Sequence, residues 1–438
     1  MNFNRKKFPM SQNKGFDIEL DSMARIYMSV SVFIIVLSVV LGAFGALADN
    51  HVLHTLHPYI FFGGFGNLAI LILNRYLIAA VYPDLKIDTG KQMRYIYGVV
   101  MALVLITAAV VTHTPVLKAV AGLFLMAMAF FPARDIFRTL SVGRIWSDVS
   151  VRYYIFDVVF LLNANLGLFA LGLKEAFPDT GIIPFFVTQS AYFLGSSFPL
   201  SISVMGFLYT YAWRRSPKKQ VVKQLFSIWS YIFVGGVLVF LVAILAGHYV
   251  SMMVVSHILT FGVMAMLGGF AVYLNAFFHK HFQHPALAFL LTGLAMLLAT
   301  SAYGIFNIYF YDQLPFGHVP PIRASKMWIY HSHTHAALMG WITFSFIGMI
   351  YIVLPAIVRT GSLEMLRTGD PLVRLIDEGA MSRAFRQLAV MVVSSLAVLL
   401  AFFFESNLLL FAGGIVYGGA VYYLRINLKH ALKRKKEQ

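Results

Sequence analysis

The chain has 438 residues, of which 59% are hydrophobic and only 12% charged, with a formal net charge of +16. A soluble protein carries roughly a quarter charged residues to build its polar surface, so a water-soluble globular protein is excluded. Nucleic acid is excluded as a partner too: the basic residues form no patch but sit in short segments between long apolar runs, the topology pattern of a membrane protein.

Taken in order, residues 1–23 are polar (Arg5, Lys6, Lys7 and Lys14 with Asp17, Glu19 and Asp21) and lack an apolar core. They read as a cytoplasmic tail leading into a retained first span. Apolar runs then predict spans at about 24–48, 57–80, 95–112, 116–133, 153–173, 182–212, 227–247, 251–277, 286–310, 328–356, 387–404 and 407–424. Each is long enough to cross roughly 30 Å of hydrocarbon as a helix with its backbone paired internally. The expected fold is thus an all-α polytopic membrane protein of about 12 transmembrane helices. Residues 24–427 form the membrane domain, and 428–438 a basic cytoplasmic tail near anionic lipid. Of the 34 Lys and Arg, only Lys118, Lys174, Arg323 and Lys326 fall in the alternate set of loops. This asymmetry places both termini in the cytoplasm and the chain in a bacterial inner membrane. The stretch 359–386 reads as the one sizeable soluble loop on the inside, and 311–327 as the longest outer loop.

Cysteine is absent, so disulfides, thiolate metal sites and covalent haem attachment through C-x-x-C-H are excluded. A redox cofactor would need His, Met, Tyr or carboxylate ligands. Depth sorts the histidines. His51, His54 and His57 lie at the outer mouth of the second span, His113 at the outer end of the third and His248 at that of the seventh. His257 lies two turns into the eighth, and His331, His333 and His335 open the tenth. Several spans therefore bring imidazole to one depth, and ionisable groups in a membrane are costly and usually functional. His279, His281 and His284 read instead as a solvated or headgroup loop on the inner side.

The most specific segment is YHSHTHAALMGW (330–341). His333 and His335 are two apart, so on a helix they point roughly 200° apart and can ligate two different planar cofactors. His331 and His335 share a face. Opposite axial ligation by a second helix is ordinary haem chemistry, and LHTLHPYIFFGGFGN (53–67) is the natural donor, His57 before His54. Gly63, Gly64 and Gly66 there admit close approach by a flat ring or a neighbouring helix. Asp157 is the clearest acid near a membrane segment; pairing with Arg152 is expected, with a proton-pathway position as the alternative. Ser230, Tyr231 and Thr260 suggest a polar path along the seventh and eighth spans. The many Phe and Met read as packing.

The pattern H-x-H-x-x-L-x-G-W, followed by an apolar stretch ending at Pro355, resembles the tenth helix of subunit I of the heme-copper oxidases, most closely the cbb type. The resemblance covers most of 40–356 and implies that family's twelve-helix bundle. It implies haem b, one or two, with His335 and His57 (or His54 with a shifted register) on a low-spin haem and His333 on a high-spin one. Arg323 and Lys326 would face haem propionates. The family's copper ligands are largely missing. Gly195-Ser196 stands where a Gly-His is needed, and Ala246-Gly247-His248-Tyr249 where a His pair is needed. His248 is the one residual copper-site candidate, and the redox tyrosine has no clear counterpart. SHILTFGVMAMLGGF (256–270) is also similar to a segment of the NnrS-type haem membrane proteins. The implied function is a haem-binding membrane protein for electron transfer or O2/NO handling, without a complete copper site and not assigned as an enzyme. Quinol or a partner cytochrome would be its electron donor. The alternatives are an active terminal oxidase or nitric oxide reductase catalytic subunit, an NnrS-like nitric oxide stress protein, and a transporter or assembly protein with no redox role.

Overall fold

The computed structural model describes residues 18–178, 200–246, 248–281, 284–309, 327–368 and 375–432. Their helices are α1 (Leu20–Ala48), α2 (His51–Val81), α3 (Thr89–Val111), α4 (Pro115–Thr139), the short α5 (Val142–Ser147), α6 (Val149–Ala176) and α7 (Ser201–Arg215). There follow α8 (Lys219–Leu245), α9 (Tyr249–His281), α10 (Pro285–Tyr309), α11 (Met327–Thr360), the short α12 (Glu364–Thr368), α13 (Glu378–Phe403) and α14 (Asn407–Ala431). Eleven of these are long and apolar enough to cross a membrane, and no strand occurs among the described residues. The chain is an all-α polytopic membrane protein. Of the sixth expected span, only the part from Leu200 onward falls within the described residues, as α7.

Helix ends follow their caps more than their hydropathy. The Asn50 side chain accepts from Leu53 N (3.1 Å), so α2 starts at His51 and takes in all three outer histidines. Asp377 likewise accepts from Ala380 N (2.6 Å) and starts α13. With α12, this replaces much of the loop expected over 359–386 by helix. Such caps supply an acceptor to first-turn amides that have no helical partner.

Two helices form the centre of the bundle. The most apolar stretch of α2 is 89% buried and that of α11 is 100% buried, against 56% or less for every other candidate span. Large apolar side chains such as Phe33, Val242, Phe261 and Leu408 point outward from the surrounding helices, where lipid is their solvent. Gly64 packs on Ile34 of α1 and Leu103 of α3, and Gly63 on Ile106 and Leu103. Close helix approach is thus seen at Gly63 and Gly64, while Gly66 meets only Phe61 O of its own helix, at 3.9 Å.

Both central helices widen into π-helix, α2 at Ile60–Gly66 and Ala69–Asn74, α11 at Ala336–Ile342. π-Turns are rare and gather at functional sites. Here side chains serve the widened turns: Asn67 Nδ2 donates to Phe62 O (3.3 Å), and Thr343 Oγ1 to Leu338 O (2.7 Å). The Tyr417 hydroxyl donates to Met339 O from α14.

Polar pairs tie the layers. Lys118 reads from sequence as a loop charge, but it is buried in α4, where its Nζ meets Glu175 Oε2 at 2.5 Å and the Tyr59 hydroxyl at 3.3 Å. Asn67 and Asn165 exchange amide hydrogen bonds of 3.3 and 2.9 Å between α2 and α6. Leaving one amide of such a buried pair alone costs about 1–3 kcal/mol, whereas replacing both is nearly neutral. Asn165→Leu is therefore expected to lower the unfolding midpoint in detergent, and Asn67→Leu/Asn165→Leu to recover most of the loss. A double-variant loss equal to the sum of the Asn67→Leu and Asn165→Leu losses would show that the pair is not coupled.

Candidate functional site

The site begins with a missing proton donor. Pro58 has no backbone N–H, so the His54 carbonyl, four residues back, loses its helical partner. The His57 ring takes it: Nδ1 lies 2.7 Å from His54 O. On α11, His335 Nδ1 lies 2.8 Å from His331 O. Carbonyls accept only, so both rings carry the proton on Nδ1 and present a bare Nε2, the neutral tautomer that binds a metal. Gly42 of α1 makes room for His57; a Cβ there would stand 3.2 Å from its Cδ2. Ser38 Oγ donates to His57 O (2.7 Å) and pins the same turn.

The His57 and His335 rings face each other across the central helix pair, with centroids 6.3 Å apart and planes 26° from parallel. Two imidazoles binding one metal ion from opposite sides, with bonds of about 2.0–2.1 Å, hold their centroids roughly 6.3 Å apart; at a tetrahedral angle they would be roughly 5 Å apart. The observed spacing suits opposite axial ligation and not a compact tetrahedral site. The spacing is the one that two imidazoles on opposite sides of a haem iron would have.

His54 and His331 lie beside this pair and close enough to each other to interact electrostatically, so the four form a cluster. His54 is 6.3 Å from His57 with planes at 70°, and His331 is 6.5 Å from His335 with planes at 62°. Phe402 of α13 packs on both α11 rings, at 4.6 Å from His335 and 5.3 Å from His331. A narrow crevice beside His335, lined by Met296, Met339, Ser395 and Val398, is too tight to admit water.

His333 turns the other way, toward α10, with Nδ1 2.8 Å from Thr300 O. Gly304 leaves the space for its ring, since a Cβ there would stand 3.1 Å from Cε1. The two histidines thus serve opposite sides of α11, and His333 also presents Nε2.

The remaining candidates lie apart from this cluster. His248 is exposed and caps α9: its Nδ1 is 2.8 Å from Ser251 Oγ and accepts from Ser251 N (3.2 Å). His257 Nδ1 lies 2.7 Å from Met253 O on its own helix. His113 is exposed in the turn after α3. His284 is buried at the start of α10, not solvated as expected, and accepts from Ala286 N (3.3 Å). Arg323 and Lys326 lie outside the described residues. Among the described residues, no three of His, Cys, Asp or Glu are arranged to hold a metal ion between them.

No protein-family model matches this chain, and no curated protein matches it. The reading of the site rests on its own geometry.

Sequence reasoning passed over Gly42, Ser38, Pro58, Thr300, Gly304 and Phe402, all of which hold the rings. The His57-Pro58 dipeptide was a visible signal; the others require knowing which helices touch. The expected Asp157–Arg152 pairing is not found. Arg152 bonds Trp146 O, Ser227 Oγ and Ser230 Oγ, with Trp146 and Tyr231 flanking its guanidinium.

Proposed function

We propose that this protein is a haem-binding integral membrane protein that handles electrons or a diatomic gas, O2 or NO, at the bacterial inner membrane with both termini cytoplasmic. The observation that carries the reading is the His57–His335 pair: near-parallel rings, 6.3 Å between centroids, each with Nδ1 fixed by a backbone carbonyl. The distances and tautomers suit the two axial positions of a low-spin haem b. His333, directed to the opposite side of α11, would hold a second haem. A bound haem b supplies one-electron redox chemistry. The chain's own residues orient the imidazoles, keep them neutral and surround them with apolar side chains that exclude water. Quinol in the bilayer or a partner cytochrome would deliver electrons. The likeness to oxidase subunit I and to the NnrS-type proteins is part of the same proposal.

The test is a dithionite-reduced-minus-oxidised spectrum of the purified protein with metal analysis on the same sample. Sharp b-type bands without copper are expected. Stoichiometric copper beside haem would replace this reading by a terminal oxidase, and absence of haem would reject it in favour of a transporter or assembly role.

A further inference from the structure

A second buried site lies between α6, α7 and α2, apart from the histidines. Its centre is Asp157, which is wholly buried. α7 begins against it. Leu200, at φ 70°, leads into the helix, and Leu200 N (2.9 Å), Ser203 N (3.0 Å) and Ser203 Oγ all donate to Asp157 Oδ2. Asp157 Oδ1, by contrast, has no partner among the described residues. Ser203 Oγ also receives Asn74 Nδ2 at 2.7 Å, and Asn74 Oδ1 is likewise buried without a partner.

This asymmetry is informative. A carboxylate spreads its charge over both oxygens and needs donors at both, whereas a carboxylic acid has one accepting oxygen and one donating hydroxyl. Among the described residues, three donors converge on Oδ2 and none reaches Oδ1. A buried anionic oxygen with neither donor nor cation is strongly disfavoured. Several charged groups on the elements around it have partners elsewhere. On α6, Asp148 caps its own helix and accepts from the Tyr82 hydroxyl. Arg152 is bound as described above, and on α7 Arg214 donates to Leu366 O. Arg75 of α2 is near enough to Asp135 and Tyr95 to interact electrostatically, although its Nη1 has no hydrogen-bond partner among the described residues, and on α8 Lys219 lies over Trp213. The nearby phenols are likewise turned away: Tyr153 donates to Phe226 O and Tyr76 to Gln92, while Tyr154 faces Thr210. A metal cation fits poorly, because the amide ends of α7 already point their positive dipole at the carboxyl. A proton needs no further ligand. It also turns Oδ1 into a donor beside a network that holds another unpartnered acceptor, Asn74 Oδ1.

We propose that Asp157 is a proton-binding site, neutral in the resting protein with its proton on Oδ1. The proton is given up by hydronium at the Arg152 end of α6: its O–H bond breaks and leaves water, while an O–H bond forms on Oδ1 and discharges the carboxylate. A polar seam between α6 and α7 leads from that end. Ser150 Oγ and Thr210 Oγ1 are 2.8 Å apart, and Gly206 lies against Tyr154, Tyr153 and Ser150 O, one turn below Ser203.

The test is infrared difference spectroscopy on the full-length protein in lipid, titrated from neutral to alkaline pH in H2O and D2O. A carbonyl stretch of a protonated carboxyl is expected at neutral pH, shifted in D2O and lost in Asp157→Asn. Ser203→Ala, which removes one donor to Oδ2, should shift the band without abolishing it, and it decides the matter if Asp157→Asn does not fold. Absence of any such band, or a band unmoved by both variants, would overturn the proposal. A band that appears only after sodium is withdrawn would also overturn it, by making the site one for a metal cation. Neither readout depends on haem, so failure here leaves the histidine reading untouched.

Discussion

Replacing His335 by Ala is expected to abolish the low-spin haem spectrum, and His57→Ala should do the same. Each removes one of the two near-parallel rings, 6.3 Å apart, that would hold the iron. Loss of outer-shell partners alone weakens metal sites by about 10- to 100-fold, so loss of a ligand should leave the site essentially empty or five-coordinate. His331→Ala is the informative control. It stands 6.5 Å from His335 with its plane turned by 62° and is not one of the two proposed ligands, so low-spin haem should persist. If the His335→Ala and His57→Ala spectra match wild type, this pair is not the axial pair.

The second large effect concerns the crossing of α4 and α6. Gly122 faces the backbone of Phe169 and Leu168, while Gly172 faces the backbone of Ala119 and Lys118; a Cβ on either would overlap main-chain nitrogen of the other helix. Small residues allow such close approach within membranes. Overpacking typically costs about 1–3 kcal/mol when side chains can yield. Here backbone lies on the far side, so Gly172→Leu should exceed about 4 kcal/mol, in the exceptional range. The expected outcome is loss of monodisperse protein, read by size exclusion in detergent. Gly143→Ala, where a Cβ meets nothing within 4 Å, should be silent. A well-folded Gly172→Leu protein would mean that this crossing is looser than described.

The fold was legible because lipid demands continuous apolar helices, and runs of that length survive in the sequence as plain text. The divergence of His333 and His335 was legible for the same reason: two residues on a helix diverge whatever surrounds them. The start of α2 was not, because hydropathy favours Ile60 over His51 whereas the Asn50 cap decides the boundary. Gly42 and Gly304 carry no sign of their role until α1 meets α2 and α10 meets α11. Asp157 misled through proximity in sequence. Arg152 is only five residues away, but five residues turn a helix by about 140°, and the carboxyl found its donors on α7 instead.

The complete enclosure of α11 bears on how the protein is made. A helix with no lipid contact along its apolar stretch cannot slide into a finished bundle; it must enter the bilayer while its future neighbours are still absent and be walled in afterwards. Phe402, which covers His335 and His331, arrives on α13, after α11 in the order of synthesis. Until that late hairpin of α13 and α14 closes, the His335 ring stays open to the side. Biogenesis therefore contains an interval in which the proposed haem would have lateral access from the membrane, and it ends when the last two segments close.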